Sequence, residues 1–248
     1  MSRTDPYVVA IVPARSGSKG IKDKNLRTLG SSPLIAWSVT SGLKSKSISR
    51  TIVSTNSKEY ARIATDWGAE VPFLRPESIS QDNSTDIELI IHALDFFKKE
   101  GKIPDLLVHL RPTTPLRNSL VIDQAVAKTK ERAGEITSTR SVHEMSETAY
   151  KSFEIGKKGN LVSTFSHSEA LDASNLPRQS FPQTYFPNGY VDVLIPEYIL
   201  SMGVLHGNYV MPFITEPAIE VDTEFDLDIL RASIAINPQV ETNLFGEL

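Results

Sequence analysis

Apolar runs rich in β-branched residues alternate along this chain with stretches of helical spacing, and no other feature restricts its fold as strongly. Val8-Val9-Ala10-Ile11-Val12 is apolar without interruption, the pattern of a strand covered on both faces. Residues 7–14, 51–55, 106–110 and 135–138 read as strands, and 71–74 is a further short apolar run. Residues 33–46 read as a helix with Pro33 in its first turn and Leu34, Ile35, Trp37, Val39 and Leu43 as its apolar positions. Ser57 is suited to cap a helix that runs to Trp67 and stops at Gly68. Residues 86–99 put Ile87, Ile90, Ile91, Leu94 and Phe97 on one side of another helix, and 120–132 form the next. This alternation predicts an α/β fold, a mostly parallel sheet with helices on both faces. After Ser141 the texture changes. Residues 153–162 suggest a hairpin with a Gly-rich turn, and 163–187 are rich in Ser, Pro and Gln. We read 141–187 as an arm inserted into a single domain spanning 1–248. Strands at 190–195 and 209–214 and a helix at 225–235 then resume the main pattern.

Composition narrows the function classes. With 248 residues, 40% of them hydrophobic, the chain can bury a sizeable core. A net charge of -4 argues against a general nucleic-acid surface. The absence of cysteine excludes disulfides, thiolate metal sites and a Cys nucleophile. The first residues lack a signal-peptide core and no apolar run approaches a membrane span, so a soluble cytoplasmic protein without membrane contact is expected.

Positive charge is instead concentrated after the first strand. Pro13-Ala14-Arg15-Ser16-Gly17-Ser18-Lys19-Gly20 is a small-residue loop, and residues 15–27 hold five Lys/Arg against one acid, Asp23. Small residues let backbone N–H groups approach phosphate oxygens, while Arg15 and Lys19 add charge and donors. The string is neither a P-loop nor a Gly-x-Gly-x-x-Gly dinucleotide loop. The plainer alternative is a solvated basic turn. A second loop, Arg111-Pro112-Thr113-Thr114-Pro115-Leu116-Arg117, follows the strand at 106–110. Ligands of open α/β sheets sit beyond the carboxyl ends of the strands, so both loops should open on one edge.

Glu220-Val221-Asp222 offers carboxylates. In a strand, positions two apart share a face, and the pair would suit Mg²⁺, which prefers one or two carboxylates plus phosphate oxygens. The competing reading is a helix start, with Asp222 or Thr223 as N-cap and Glu224 and Asp226 favouring the helix dipole. The five histidines show no metal-ligand spacing, and His109, inside an apolar run, reads as a satisfied core residue.

The segment Ile11-Val12-Pro13-Ala14-Arg15-Ser16-Gly17-Ser18-Lys19-Gly20, continued by Lys24-Asn25-Leu26, resembles the signature of the acylneuraminate (CMP-sialic acid) cytidylyltransferase family. Leu74-Arg75-Pro76-Glu77, the 111–117 loop, Pro177-Arg178-Gln179, Pro187-Asn188-Gly189 and Val221-Asp222-Thr223-Glu224-Phe225-Asp226 follow in the family's order. The resemblance implies a Rossmann-like sheet with an inserted dimerisation arm, and transfer of CMP from CTP to a nonulosonic acid with Mg²⁺ and release of pyrophosphate. It further implies that Arg15, Ser16, Ser18 and Lys19 hold the triphosphate, that Asn25, Arg75, Thr85 and Asp86 meet the nucleotide, and that Asp222, with Glu220, holds the metal. Arg111, Thr113, Lys151, Arg178, Asn188 and Asp192 would face the sugar acid. A homodimer is expected, the arm of one subunit completing the site of the other.

The chain departs from the family pattern at two sugar-facing positions, one nucleotide-facing position and one metal position. Arg111 stands where the sialic acid enzymes typically have Gln, Glu220 replaces an Asp, Asp86 replaces a Ser or Thr, and Asp192 replaces an aromatic residue. The added Arg111 and Asp192 suggest a nonulosonic acid other than N-acetylneuraminate, with legionaminic-type acids as the leading expectation. GTP in place of CTP stays open from sequence. So do a metal-dependent glycosyltransferase, suggested by Glu220-Val221-Asp222, and a non-catalytic nucleotide-binding protein.

Overall fold

The computed structural model describes residues 6–168 and 170–246. In chain order the strands and α-helices are β1 (Val8–Pro13), β2 (Thr28–Leu29), β3 (Ser32–Pro33), α1 (Leu34–Lys44), β4 (Arg50–Ser54), α2 (Lys58–Asp66), α3 (Asp86–Glu100), β5 (Leu106–His109) and α4 (Ser119–Glu131). There follow β6 (Ser138–Glu144), β7 (Phe153–Ile155), β8 (Leu161–Ser163), β9 (Tyr185–Leu194), α5 (Pro196–Met202), β10 (Val210–Ile214), α6 (Glu224–Ile236) and α7 (Gln239–Phe245).

The central sheet has six strands in the order β10-β6-β9-β5-β1-β4. β1 pairs in parallel with β4 and β5, and β10 in parallel with β6, while β9 runs antiparallel between β5 and β6. Alternating side chains explain how the sheet is covered. Val8, Ala10 and Val12 pack with Ile35 and Val39 of α1, Tyr60 and Ala64 of α2, and Ile122 and Val126 of α4. Val9 and Ile11 point the other way, into Leu89, Ile90, Leu94 and Phe97 of α3 and Ile199 of α5. A third cluster lies on the outer side of α1, where Leu34 and Trp37 meet Leu227 and Leu230 of α6 and Leu244 of α7.

Several boundaries differ from the sequence reading. The expected strand at 135–138 is a turn closed by Glu135 N–H on the Arg132 carbonyl, with Gly134 at φ 90°, and β6 starts only at Ser138. Residues 71–74 form no strand; the neighbouring Glu70 makes an isolated bridge to Ile52. Pro33 caps α1 from outside its first turn, and Leu43 and Ile91, expected in the core, are exposed. β9 begins five residues before the expected start at Tyr190, and α7 was not anticipated. The α2 reading holds: the Ser57 hydroxyl accepts from Tyr60 N–H, and Gly68 takes φ 91° after the helix end.

Residues 141–144 and 185–187 extend β6 and β9 within the sheet register, so the excursion from the sheet spans 145–184. It carries the β7–β8 hairpin, built at the expected place. Tyr150 packs against the rings of Phe165 and Phe181 at 4.3 and 6.0 Å between centroids. No helix among the described residues is long and apolar enough to cross a membrane.

Trp37 carries the third cluster. It is fully buried, donates from Nε1 to the Leu29 carbonyl at 3.1 Å and meets Phe245 edge-on at 4.9 Å. Trp37→Ala is expected to cost about 3–5 kcal/mol, read as a lower urea midpoint.

Candidate active site

The carboxyl ends of β1, β4 and β5 share one edge, because the three strands are parallel neighbours. The Arg15 loop continues β1 there: Ala14 N–H still bonds the Ser54 carbonyl at 2.9 Å. Ser16 then donates from its backbone and hydroxyl to Asn56 Oδ1, and the Asn25 amide, almost wholly buried, donates to the Arg15 carbonyl at 3.0 Å. A loop with its own carbonyl and N–H groups tied back in this way holds Arg15 in place without a ligand.

The C-terminal part of the chain closes the opposite wall. Lys24 Nζ donates to the Val221 carbonyl at 2.9 Å and to Asp222 Oδ1 at 3.0 Å. A Cβ on Gly20 would lie 2.8 Å from the Asp222 carbonyl oxygen, so the approach of the two segments requires glycine. Residues 220–222 are not a strand. The helix-start reading is the one observed: Thr223 and Asp226 form a capping box on α6. Glu220 accepts from the Thr113 hydroxyl at 2.9 Å and does not line the cleft.

Between these walls lies a cleft of about 440 Å³. Arg15, Ser18, Lys19, Asn25, Arg75, Thr85, Asp86, Arg111, Thr113 and Asp222, all predicted, line it together. Lys24 and Asp82, which the sequence reading did not assign, line it as well. Asp82 pairs with Arg15 at 3.0 Å and Lys19 at 2.6 Å. Only a short Gln-Asp-Asn-Ser turn marked that position in sequence.

Arg75 is 5% exposed, and its Nε and Nη2 have no hydrogen-bond partner. Burial and the nearby Arg15 charge lower its pKa to about 10. Buried donors of this kind are normally satisfied, so a cleft-lining guanidinium with open donors suits a ligand acceptor such as a phosphate or base oxygen.

The sugar-side predictions divide. Arg111 donates to Asp86 at 2.8 Å and to Asp192 at 2.9 Å. Burial works against the Arg111 charge, and the two carboxylates outweigh it. Asp192 is fully buried behind Arg111, opposite His109 across the β5–β9 ladder, and lies off the cleft lining. It holds Arg111 rather than contacting the cleft. Asn188 is also buried, bonded to Thr215 and Tyr190. Thr85 precedes α3 and donates to Glu88 at 2.6 and 2.9 Å. Lys151 stacks over the Phe181 ring, and Arg178 bonds Glu144 and the Met145 carbonyl beside a separate cavity of about 280 Å³. These two and Ser16 do not line the main cleft. Arg117, unassigned from sequence, is buried and donates to Ser38 Oγ and to the carbonyls of Arg111, Gly189 and Tyr190, fixing the loop that carries Arg111.

The cleft offers carboxylates to a divalent cation. Among the described residues no group of three or more His, Asp or Glu side chains converges as an all-protein cage. Mg²⁺ needs none, because it uses one or two carboxylates together with substrate phosphates and water. Asp222 is a cleft-lining carboxylate whose side chain is 72% exposed and whose Oδ1 pairs with Lys24. It fits as one such ligand.

Comparison with known proteins adds the relationship. A family model described as Cytidylyltransferase matches residues 9–185. N-acylneuraminate cytidylyltransferase of Escherichia coli O18:K1:H7 is 32% identical over 227 residues, covering 90% of this chain and 51% of that protein. The chain thus spans about half the length of that relative. CMP-N,N'-diacetyllegionaminic acid synthase of Legionella pneumophila is 29% identical over 237 residues, covering 94% of this chain and 98% of that one. A solved CMP:2-keto-3-deoxy-manno-octonic acid synthetase complexed with CTP matches with a TM-score of 0.67 at 13% identity, over 93% of this chain and 99% of that one. Identity that low speaks for the fold alone.

His109 is buried as expected, but neither ring nitrogen has a partner, so it is not the satisfied core residue the sequence suggested. Burial, reinforced by Arg111, lowers its pKa to about 4, and burial also lowers His206 and His92. A histidine depressed on folding contributes stability above its unfolded pKa of about 6.5 and loses it as pH falls through the folded value. The urea midpoint is therefore expected to drop between pH 6.5 and about 4, and less steeply in His109→Gln.

Proposed function

The chain belongs to the cytidylyltransferase family, and on that premise we propose that it transfers CMP from CTP to a nonulosonic acid and releases pyrophosphate. The observation that carries this reading is one cleft that joins the Arg15–Lys19 loop, a buried Arg75 with open donors, and the exposed Asp222 carboxylate. In this reaction an anomeric hydroxyl attacks the α-phosphorus and pyrophosphate departs. Positioning and charge neutralisation carry most of such catalysis. Arg15 and Lys19 neutralise charge building on the phosphate chain. Arg75 offers its open donors to the nucleotide. Asp222 would hold Mg²⁺, which when bound polarises phosphate oxygens and neutralises their charge. Arg111, clamped by Asp86 and Asp192, presents a fixed guanidinium edge on the sugar side.

For the acceptor we propose a legionaminic-type acid. The Legionella relative, which aligns over nearly its whole length, is named for such an acid, and Arg111 and Asp192 form a polar pair. We further propose a cytoplasmic homodimer joined through the 145–184 excursion. Ile155 and Phe165 there are 79% and 65% exposed, and in such a dimer Lys151 and Arg178 would meet the partner's sugar site.

The test is pyrophosphate release with CTP, GTP, ATP and UTP, each offered with several nonulosonic acids and Mg²⁺. Release with CTP and a legionaminic-type acid is expected; preference for N-acetylneuraminate would overturn the acceptor assignment. Arg15→Ala is expected to lower kcat by about 100-fold or more while leaving the sugar KM nearly unchanged. Asp222→Ala should abolish Mg²⁺-dependent turnover, and full retention would remove Asp222 from the metal site.

A further inference from the structure

Asp82 is the one carboxylate among the described residues that bridges both cations of the first loop, at 3.0 Å to Arg15 and 2.6 Å to Lys19. It lines the same cleft as both. Its placement is built into the fold. Asn56 takes the Ser16 N–H and hydroxyl on Oδ1 and donates to Glu77 Oε2 at 2.9 Å. Glu77 in turn accepts from the Gln81 amide through its carbonyl at 2.8 Å and through Oε1 at 3.2 Å. The turn bearing Asp82 closes on itself, Gln81 N–H to Ser84 Oγ at 2.9 Å and Ser84 N–H to the Gln81 carbonyl at 3.1 Å. A continuous chain of hydrogen bonds thus holds the carboxylate opposite the loop.

We propose that Asp82 is an internal competitor for the phosphate site: the nucleotide's phosphates displace it from Arg15 and Lys19, and it reclaims both cations to speed the departure of pyrophosphate. This rests on reading those cations as the triphosphate site. The chemistry favours the exchange in both directions. Exposed ion pairs are weak, and the Lys19 side chain is 82% exposed, so a polyphosphate with several negative oxygens wins the cations on entry. Lys19 and then Arg15 hold the Asp82 carboxyl below its ordinary pKa, so it stays ionised and ready to return. Because it is tethered beside the cations, its effective concentration is high whenever a phosphate oxygen lets go.

The test is titration of inorganic pyrophosphate with Mg²⁺, and separately of CTP with Mg²⁺, into the full chain, with calorimetric affinity and stopped-flow dissociation as readouts. Asp82→Asn is expected to bind pyrophosphate about 5-fold or more tighter and to release it correspondingly slower. Asp82→Glu, which restores the charge, should return towards the parent values. Asp66→Asn removes an equal charge from the C-terminal end of α2, off the cleft lining, where exposed Asp66 pairs with Arg62, and should leave both ligands unchanged. Unchanged or weaker pyrophosphate binding in Asp82→Asn would overturn the proposal, as would equal tightening by Asp66→Asn. Absence of turnover with every sugar acid would count against the transferase reading instead, because these binding measurements need no sugar.

Discussion

Burial of β1 on both faces fixes where the loop bearing Arg15 and Lys19 emerges, and the rest of the cleft is arranged around that point. Val8 to Val12 are all inaccessible to solvent, and a fully buried Val or Ile contributes about 1.5–3 kcal/mol. The strand cannot slip by one residue without exchanging the side chains that meet α1, α2 and α4 for those that meet α3. Its register therefore sets the position of Arg15 relative to the loops after β4 and β5. Asn56 on one side and Asn25 on the other then convert that position into a rigid loop.

The cleft assembled there holds more positive charge than it balances. Arg15 and Lys19 share Asp82, Lys24 takes Asp222, and Arg111 takes two carboxylates, while Arg75 has none as an ion-pair partner among the described residues. The pairs differ in character. The Lys19–Asp82 pair is exposed and easily exchanged, while Asp222 is exposed opposite a largely buried Lys24. The Arg111–Asp192 pair is buried, where loss of one partner strands the other charge. The Arg15–Lys19 end of the cleft is thus exchangeable, and the Arg111 end is fixed. That division would suit the proposed transfer, in which phosphates arrive and leave while the acceptor surface keeps its shape.

What could be read in the sequence was largely what depends on local pattern. The apolar run of β1, the Ser57 cap, the helix at 86–99 and the Thr223–Asp226 helix start each carry their cause within a few residues. The concentration of cations after the first strand was equally legible, and Arg15 and Lys19 do line the cleft. Features that depend on distant partners were misread or missed. Asp192 looked like a ligand contact because its neighbours do not reveal that β9 runs antiparallel beside His109. His109 looked like a satisfied core residue because its sequence neighbours do not show that both its nitrogens lack partners. Glu220 was paired with Asp222 on strand geometry that the segment does not adopt.

The sequence by itself determined an α/β sheet, a cationic loop at the end of its first strand, and a family resemblance spread over most of the chain. Those follow from residue order and short-range periodicity, which are present before any folding. Only the tertiary structure decided which charges meet. Lys24 reaches Asp222 across 198 positions, Arg111 reaches Asp192 across 81, and Asp82 reaches back to Arg15 and Lys19. Ion pairs between segments this far apart are set by the register of the sheet and the packing of the loops at its edge, and no local rule encodes them.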